Sequence, residues 1–314
     1  MAGYLVRRML EAGLTILVAS VLVFAMVAAL PGDPAQVILG DRGTPEQLRS
    51  LRQYLGLDAP IPVQYARWLG RVVTGDLGYS MLSGIPVRDT LARTLPVTLQ
   101  LAAWALAVVV LIALPMGIYA GTHPRSRPAR LLGWYHGLAL AVPVFWLGIV
   151  LAWFFGVRMR WVPPSGFVPF GENPAGWARS LVLPGVTLGI GVGSIMARFV
   201  QASLEDVLGR DYVRTARAKG APESVVLRSH VLRNAMLPVV TMLGMDIGLA
   251  LGGAIFTESV YGLPGLGRTA VQALQNYDTP TIMGVIVFAT IVIIVFNLIV
   301  DLLYAAIDPR IRLA

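Results

Sequence analysis

Along the chain, six long apolar runs alternate with polar segments of very unequal length. The runs cover about 10–30, 97–120, 131–157, 181–200, 236–260 and 281–307. A helix needs roughly 20 mostly apolar residues to cross a hydrocarbon core of ~30 Å, so each run is long enough for one membrane span. Charge inside the runs is confined to Glu11, Arg198, Asp246, Glu258 and Asp301. Pro115, Pro143 and Pro184 fall within runs, and we expect neighbouring helices to satisfy the carbonyls they free. The first run follows Arg7-Arg8 and ends near Ala28-Ala29, as a signal peptide would. A signal core is usually ~7–15 residues, however, and Pro31-Gly32-Asp33-Pro34 reads as a helix stop, so we read a retained helix.

Two polar segments carry their own helical signals. In 31–95, Thr44-Pro45-Glu46-Gln47 matches a capping box, predicting a helix to Leu55 that stops at Gly56. A second helix should start near Pro62, carry Tyr65, Trp68 and Leu69 on one side, and end at Gly75. Gly75-Asp76-Leu77-Gly78 reads as a turn and Pro86 as the start of a short third helix. This segment is a helical cap, serving as a lid on the helix ends or as a docking surface, and the two roles are compatible. In 203–235, Leu204, Leu208, Tyr212 and Ala216 recur four apart as one helical stripe. Gly220 breaks it, and Pro222 starts a second helix to about Leu232 that presents Glu223, Arg228 and Arg233 beside Val225, Val226 and Leu227. Positive-inside charge alone does not require so well-phased a helix–turn–helix, so we read an interaction element.

Composition narrows the class. Of 314 residues, 56% are hydrophobic and only 13% charged. Soluble domains carry about 25% charged residues, so the composition disfavours a water-soluble enzyme and excludes a disordered chain. Cysteine is absent, and His123, His136 and His230 are scattered, leaving no zinc pattern. The net charge is +8, with Lys219 the only lysine. If the N-terminus is cytoplasmic, segments 1–9, 121–131, 203–235 and 308–314 hold 13 basic residues in 60 positions. The short outer loops 158–180 and 261–280 then hold 4 in 43. By the positive-inside rule this predicts six helices with both termini cytoplasmic. Segment 31–95 is left out of the count because long loops translocate regardless of charge.

No chemistry of its own is legible. The single lysine is followed by Gly220, so no phosphate-cradling loop exists, and the His-Glu-x-x-His and Gly-x-Ser-x-Gly patterns are missing. Asp246, about a third of the way along the fifth run, is the one deep acid; it serves as an interhelical hydrogen-bond partner or as a pathway residue. Gly244, Gly248 and Gly252 in the fifth run, and Gly185, Gly189 and Gly193 in the fourth, recur four apart. Small residues at this spacing let helices approach closely, and a smooth face also lets them tilt as a gate opens. We assign Gly244, Asp246, Gly248 and Gly252 to a candidate translocation pathway.

The stretch Asp211-Tyr-Val-Arg-Thr-Ala-Arg-Ala-Lys-Gly220 with His230-Val-Leu-Arg-Asn-Ala-Met-Leu-Pro238 resembles the cytoplasmic loop of permease subunits in bacterial ATP-binding-cassette importers. The family pattern there is Glu-Ala-Ala, three residues, Gly, nine residues, Ile-x-Leu-Pro. Ala216, Gly220 and Leu232 match it, whereas Arg214, Thr215, His230 and Arg233 depart in the manner of the peptide/nickel branch. Similar to the first permease of dipeptide- and oligopeptide-type pairs are Leu30-Pro-Gly-Asp-Pro34, Leu55-Gly-Leu-Asp58 and Gly75-Asp-Leu-Gly-Tyr-Ser80. So are Tyr261-Gly-Leu-Pro-Gly-Leu-Gly267 and Asp301-Leu-Leu-Tyr-Ala-Ala-Ile-Asp-Pro309.

The resemblance covers essentially the whole chain. It implies an all-α integral membrane subunit of the type I ABC importer permease fold, in the bacterial cytoplasmic (inner) membrane. Its organisation would be a first helix in 1–30, an external cap in 31–95 and a five-helix core in 96–314 containing the coupling loop 203–235. Implied partners are a second homologous permease subunit, two ATP-binding cassette subunits, an external substrate-binding protein and the lipid bilayer, with no nucleic acid. The chain itself would hold no cofactor or metal and catalyse nothing; ATP and Mg belong to the ATPases. The coupling residues would be Arg214, Thr215, Ala216, Gly220, Ala221, Pro222, Glu223, Val226 and Leu227. The substrate would be a di- or oligopeptide, with nickel chelates or glutathione as alternatives. A secondary carrier is the rival from another class. It is disfavoured by the scarcity of buried charge and the lack of a visible inverted repeat.

Overall fold

A computed structural model describes residues 2–29, 33–40 and 43–307. It is helical, and the described residues contain no strand beyond one isolated bridge, Tyr79 to Pro86. The helices are α1 (Ala2–Ala28), α2 (Pro34–Leu39), α3 (Pro45–Leu55), α4 (Ile61–Val73), α5 (Val87–Thr122), α6 (Arg127–Ala141) and α7 (Val144–Leu151). After a π-helical stretch, Ala152–Arg158, come α8 (Pro174–Leu208), α9 (Asp211–Ala218) and the single turn α10 (Glu223–Val225). A second π-helical stretch, Val226–Leu232, leads into α11 (Arg233–Tyr261), followed by α12 (Leu266–Gln275) and α13 (Thr279–Ile307).

Among the described residues, four helical segments are long and apolar enough to cross a membrane: Arg7–Ala28, Val87–Thr122, Pro174–Leu208 and Thr279–Leu298. The run at 131–157, expected as one span, is instead two helices bent by 103°. The cause is Pro143. It holds the preceding Val142 extended, at φ −86° and ψ 123°, and has no N–H to continue the ladder. Pro115 and Pro184, by contrast, sit inside α5 and α8 without ending them. The fifth run lies on α11, 29 residues long, although several side chains along it fall outside the described residues.

One compact unit comprises Met1–Val97 and Pro264–Leu298. The capping box forms as expected: the Thr44 hydroxyl accepts from Gln47 N, Gln47 Oε1 accepts from Thr44 N, and Gly56 closes α3 in the left-handed conformation. In α4, buried Trp68 packs with Tyr65 and Leu69 against Val23 and Phe24 of α1. Ser20 and Tyr65 share a hydrogen bond of 2.9 Å. The Gly75–Gly78 turn also forms, with both glycines at positive φ. The expected short helix at Pro86 is instead α5, which runs unbroken for 36 residues to Thr122.

The second unit is built from Thr98–Leu263, with α8 at its centre. A Cβ on Gly189 would stand 2.7 Å from Val108 of α5, and one on Gly117 2.6 Å from the Ala197 carbonyl. Glycine at these positions brings the two backbones into contact. Gly185 likewise abuts Trp104.

Candidate functional site

The core of the second unit continues without interruption into segment 203–235. Val109 and Ala113 of α5, Met196, Ala197, Val200, Leu204 and Val207 of α8, and Ala235 and Val239 of α11 form one buried cluster with Val213, Val226 and Val231. These last three are fully buried. The loop is therefore an extension of the packed bundle. Ser203 adds a hydrogen bond from its hydroxyl to the Ala235 carbonyl at 2.8 Å.

The anticipated stripe is realised at Leu204, Leu208 and Ala216 but not at Tyr212. Leu204 is buried, but α8 ends at Leu208 and the chain restarts as α9 at Asp211. That break shifts the helical phase. Val213 turns inward in place of Tyr212, which is 43% exposed.

At the end of α9 the backbone makes a Schellman turn. Gly220 N donates to the Arg217 carbonyl at 3.0 Å and Ala221 N to the Ala216 carbonyl at 3.3 Å. Gly220 has φ +79°, in the left-handed region where a Cβ is penalised. Ala216 and Ala221 meet across the turn and, with Leu227, rest against the core. Thr215 returns its hydroxyl to the Asp211 carbonyl at 2.9 Å. Arg214, Thr215, Gly220, Pro222 and Glu223 face outward, whereas Val226 is buried and anchors the element. Arg210 pairs with Asp206 at 2.7 Å and Arg214 with Asp211 at 3.7 Å. Arg217 crosses the turn to Glu223, with Nε–Oε2 at 3.0 Å and Nη2–Oε1 at 2.6 Å. Those bonds from Arg217 hold the Glu223 carboxyl below the ordinary carboxylate range.

The pathway candidates are less coherent. Gly244 is buried and Gly248 half-buried on α11, while the Asp246 side chain lies outside the described residues. Gly252 opens onto space, with nothing within 4 Å of a Cβ placed there. Its neighbour Gly253 is pressed against α8: a Cβ there would stand 2.8 Å from Leu188. The four-residue spacing therefore marks close packing on α8 but not at Gly252.

Two buried acids that the sequence reading did not single out as sites organise their own units. Glu258 of α11 is fully buried and accepts the Thr98 hydroxyl at 2.6 Å. Asp278 accepts from Ser80 Oγ at 2.5 Å, Met81 N at 3.0 Å and Thr281 Oγ1 at 2.8 Å. Asp278-Thr-Pro is a helix-start signal at α13, and that was the clue available. Tyr261, also buried, donates to the Gly148 carbonyl at 3.1 Å and shares a 2.8 Å bond with Thr187, joining α7, α8 and α11.

These features define a multi-span helical membrane subunit with a rigid helical elbow built onto its core. The family described as "Binding-protein-dependent transport system inner membrane component" matches residues 113–313, and the N-terminal family of the same systems matches 1–102. The chain belongs to this family: it is the multi-pass inner-membrane permease subunit of an ABC importer, and not an enzyme. Along 99% of its length it is 35% identical to a probable peptide ABC transporter permease, y4tP, of Sinorhizobium fredii, of which it covers 100%. It is 42% identical to the glutathione transport system permease GsiC of Salmonella paratyphi A, with 99% of each chain covered. In fold it is similar to a chain of the MetNI methionine ABC transporter, at 19% identity and TM-score 0.56, covering 70% of this chain and 96% of that one.

Proposed function

We propose that this permease crosses the membrane six times with both termini cytoplasmic and forms half of a pathway for small peptides. The other half would come from a second, homologous permease. Two cytoplasmic ATPases, holding ATP and Mg, would drive it, and an external binding protein would deliver substrate. Segment 31–95 forms the external cap, 96–314 the core, and 203–235 is the elbow on which an ATPase docks. The observation that carries this reading is the elbow's construction. Its inner side, Val213, Val226 and Val231, belongs to the bundle core, and its outer side, Arg214, Thr215, Arg217, Gly220, Pro222 and Glu223, is open to a partner. A push on the outer side is therefore delivered to α8 and α11. ATP-driven closure of the ATPases would tip these helices between inward- and outward-open states, and substrate acts only through its preference between them.

Glutathione is a tripeptide, so the glutathione and peptide relatives support one chemical class of substrate, a short peptide with free carboxylates. The candidate pathway remains Gly244, Asp246, Gly248 and Gly252. The test of topology is labelling of single cysteines placed at Ser50 and Ser224 by an impermeant reagent in intact cells. Ser50→Cys should label and Ser224→Cys should not; the reverse pattern overturns the orientation. Co-purified ATPases and uptake of a labelled dipeptide or glutathione in the reconstituted importer test the function. Uptake driven by an ion gradient without ATPases would favour a secondary carrier.

A further inference from the structure

We infer that Arg217 is a positioning residue for energy coupling: its fork across the Gly220 turn to Glu223 sets the angle at which the elbow meets its driver. The inference rests on the docking role proposed for this loop. Three devices hold the elbow. The Schellman bonds fix the backbone, and the buried Val213 and Val226 fix the inner side. On the outer side, where a partner presses, the Schellman bonds hold only the backbone and no buried side chain acts. There Arg217, in the last turn of α9, reaches six residues on to Glu223, the first residue of the next helical turn. Both carboxylate oxygens are engaged, by Nε at 3.0 Å and by Nη2 at 2.6 Å. A two-point fork resists rotation as well as separation, which a single contact does not.

The neighbouring pairs cannot do this. Asp206–Arg210 lies at the α8 end, before the turn, and Asp211–Arg214 lies within α9. Among the described ion pairs of 203–235, Arg217–Glu223 is the one that spans the turn. Both side chains are about half exposed, 42% and 56%, so the pair adds little to folding stability. Its effect is directional: with the fork lost, the outer side of the turn can open while the buried side holds. The elbow would then dock on the ATPase yet transmit less of its closure.

The experiment uses the complete importer in proteoliposomes, with R217E, E223R, the swap R217E/E223R, and R217K, which keeps the charge but not the fork. Substrate transported per ATP hydrolysed is measured, and a cysteine at Ser224 reports docking by cross-linking to the ATPase. The expected result, read per cross-linked complex, is a drop in coupling of roughly threefold or more for each single charge reversal. R217K should fall between these and wild type, and the swap should recover to within about twofold of wild type. Unchanged coupling in the single variants, or a swap as defective as its parents, overturns the clamp while normal cross-linking leaves the docking role standing. Failure of wild-type Ser224→Cys to cross-link to an ATPase overturns the docking role and the clamp with it.

Discussion

Replacing Asp278 by Ala should loosen the segment around Ser80 far more than a surface change would. The carboxylate is 3% exposed and receives three donors, two hydroxyls on Oδ2 and the Met81 amide on Oδ1. Ser80 Oγ also accepts the Ser83 amide at 3.1 Å, and the adjacent Tyr277 is held at φ +54°, so the acid anchors a turn that would otherwise relax. Removing it orphans all three donors. At the low end of about 1 kcal/mol each, the loss is at least about 3 kcal/mol. At about 1.4 kcal/mol per tenfold, that raises the local opening constant by roughly 100-fold. Asn would keep the Met81 bond but present an NH2 to two hydroxyls, which can turn to accept it, so D278N should lose less. The assay is amide hydrogen exchange in nanodiscs, followed at Met81, Ser83 and Gly84. Exchange at these amides should accelerate in the order wild type, D278N, D278A. If D278A leaves Met81 as protected as in wild type, the network does not hold the segment and the reasoning fails.

Gly189→Ala should lower the thermal midpoint of the purified complex, since its Cβ would meet Val108 at 2.7 Å and overpacking of this kind costs about 1–3 kcal/mol. Gly252→Ala, which opens onto space, should be neutral or slightly stabilising, and equal midpoints for the two would contradict the packing. For the Arg217–Glu223 pair the pH dependence has a definite sign. The Glu223 carboxyl is lowered by the hydrogen bonds from Arg217, so the pair's contribution is full above the ordinary carboxylate value and is lost as pH falls through its lowered one. Amide exchange at Gly220 and Ala221 should therefore be faster in E223Q than in wild type at pH 7, with the difference fading as pH falls through that lowered value. A difference that persists unchanged once the Glu223 carboxylate is protonated would mean that its charge is not the source.

Local signals with a stereochemical mechanism were readable in advance. The Thr44 capping box, the Gly56 stop, the Gly75–Gly78 turn and the Gly220 elbow all form where residue chemistry alone puts them. Signals that depend on neighbours were not. Pro143 bends its run while Pro115 and Pro184 do not, although the sequence marks all three prolines alike. Tyr212 faces out because a two-residue break before α9 shifts the helical phase, which a four-residue spacing cannot register. Gly252 recurs at the same four-residue spacing as Gly185 and Gly189 of α8 but lacks their close contact, since spacing names a face and not what lies opposite. The Arg217–Glu223 fork was hidden for a related reason. Six residues is not a helical spacing, and the pair exists only because the chain reverses between them.

The central claim is that the Gly220 elbow transmits ATPase closure to the helices. Gly220→Val tests it most directly. At φ +79° a β-branched residue is strained by roughly 1–2 kcal/mol, which re-aims α10 without dismantling a core anchored by Val213, Val226 and Val231. The measurement is substrate uptake together with substrate-stimulated ATP hydrolysis in the reconstituted importer. The account predicts a complex that reaches the membrane but either binds its ATPases weakly or hydrolyses ATP with little uptake. Normal expression, normal ATPase binding and wild-type uptake would contradict it, and would leave 203–235 as a connector only.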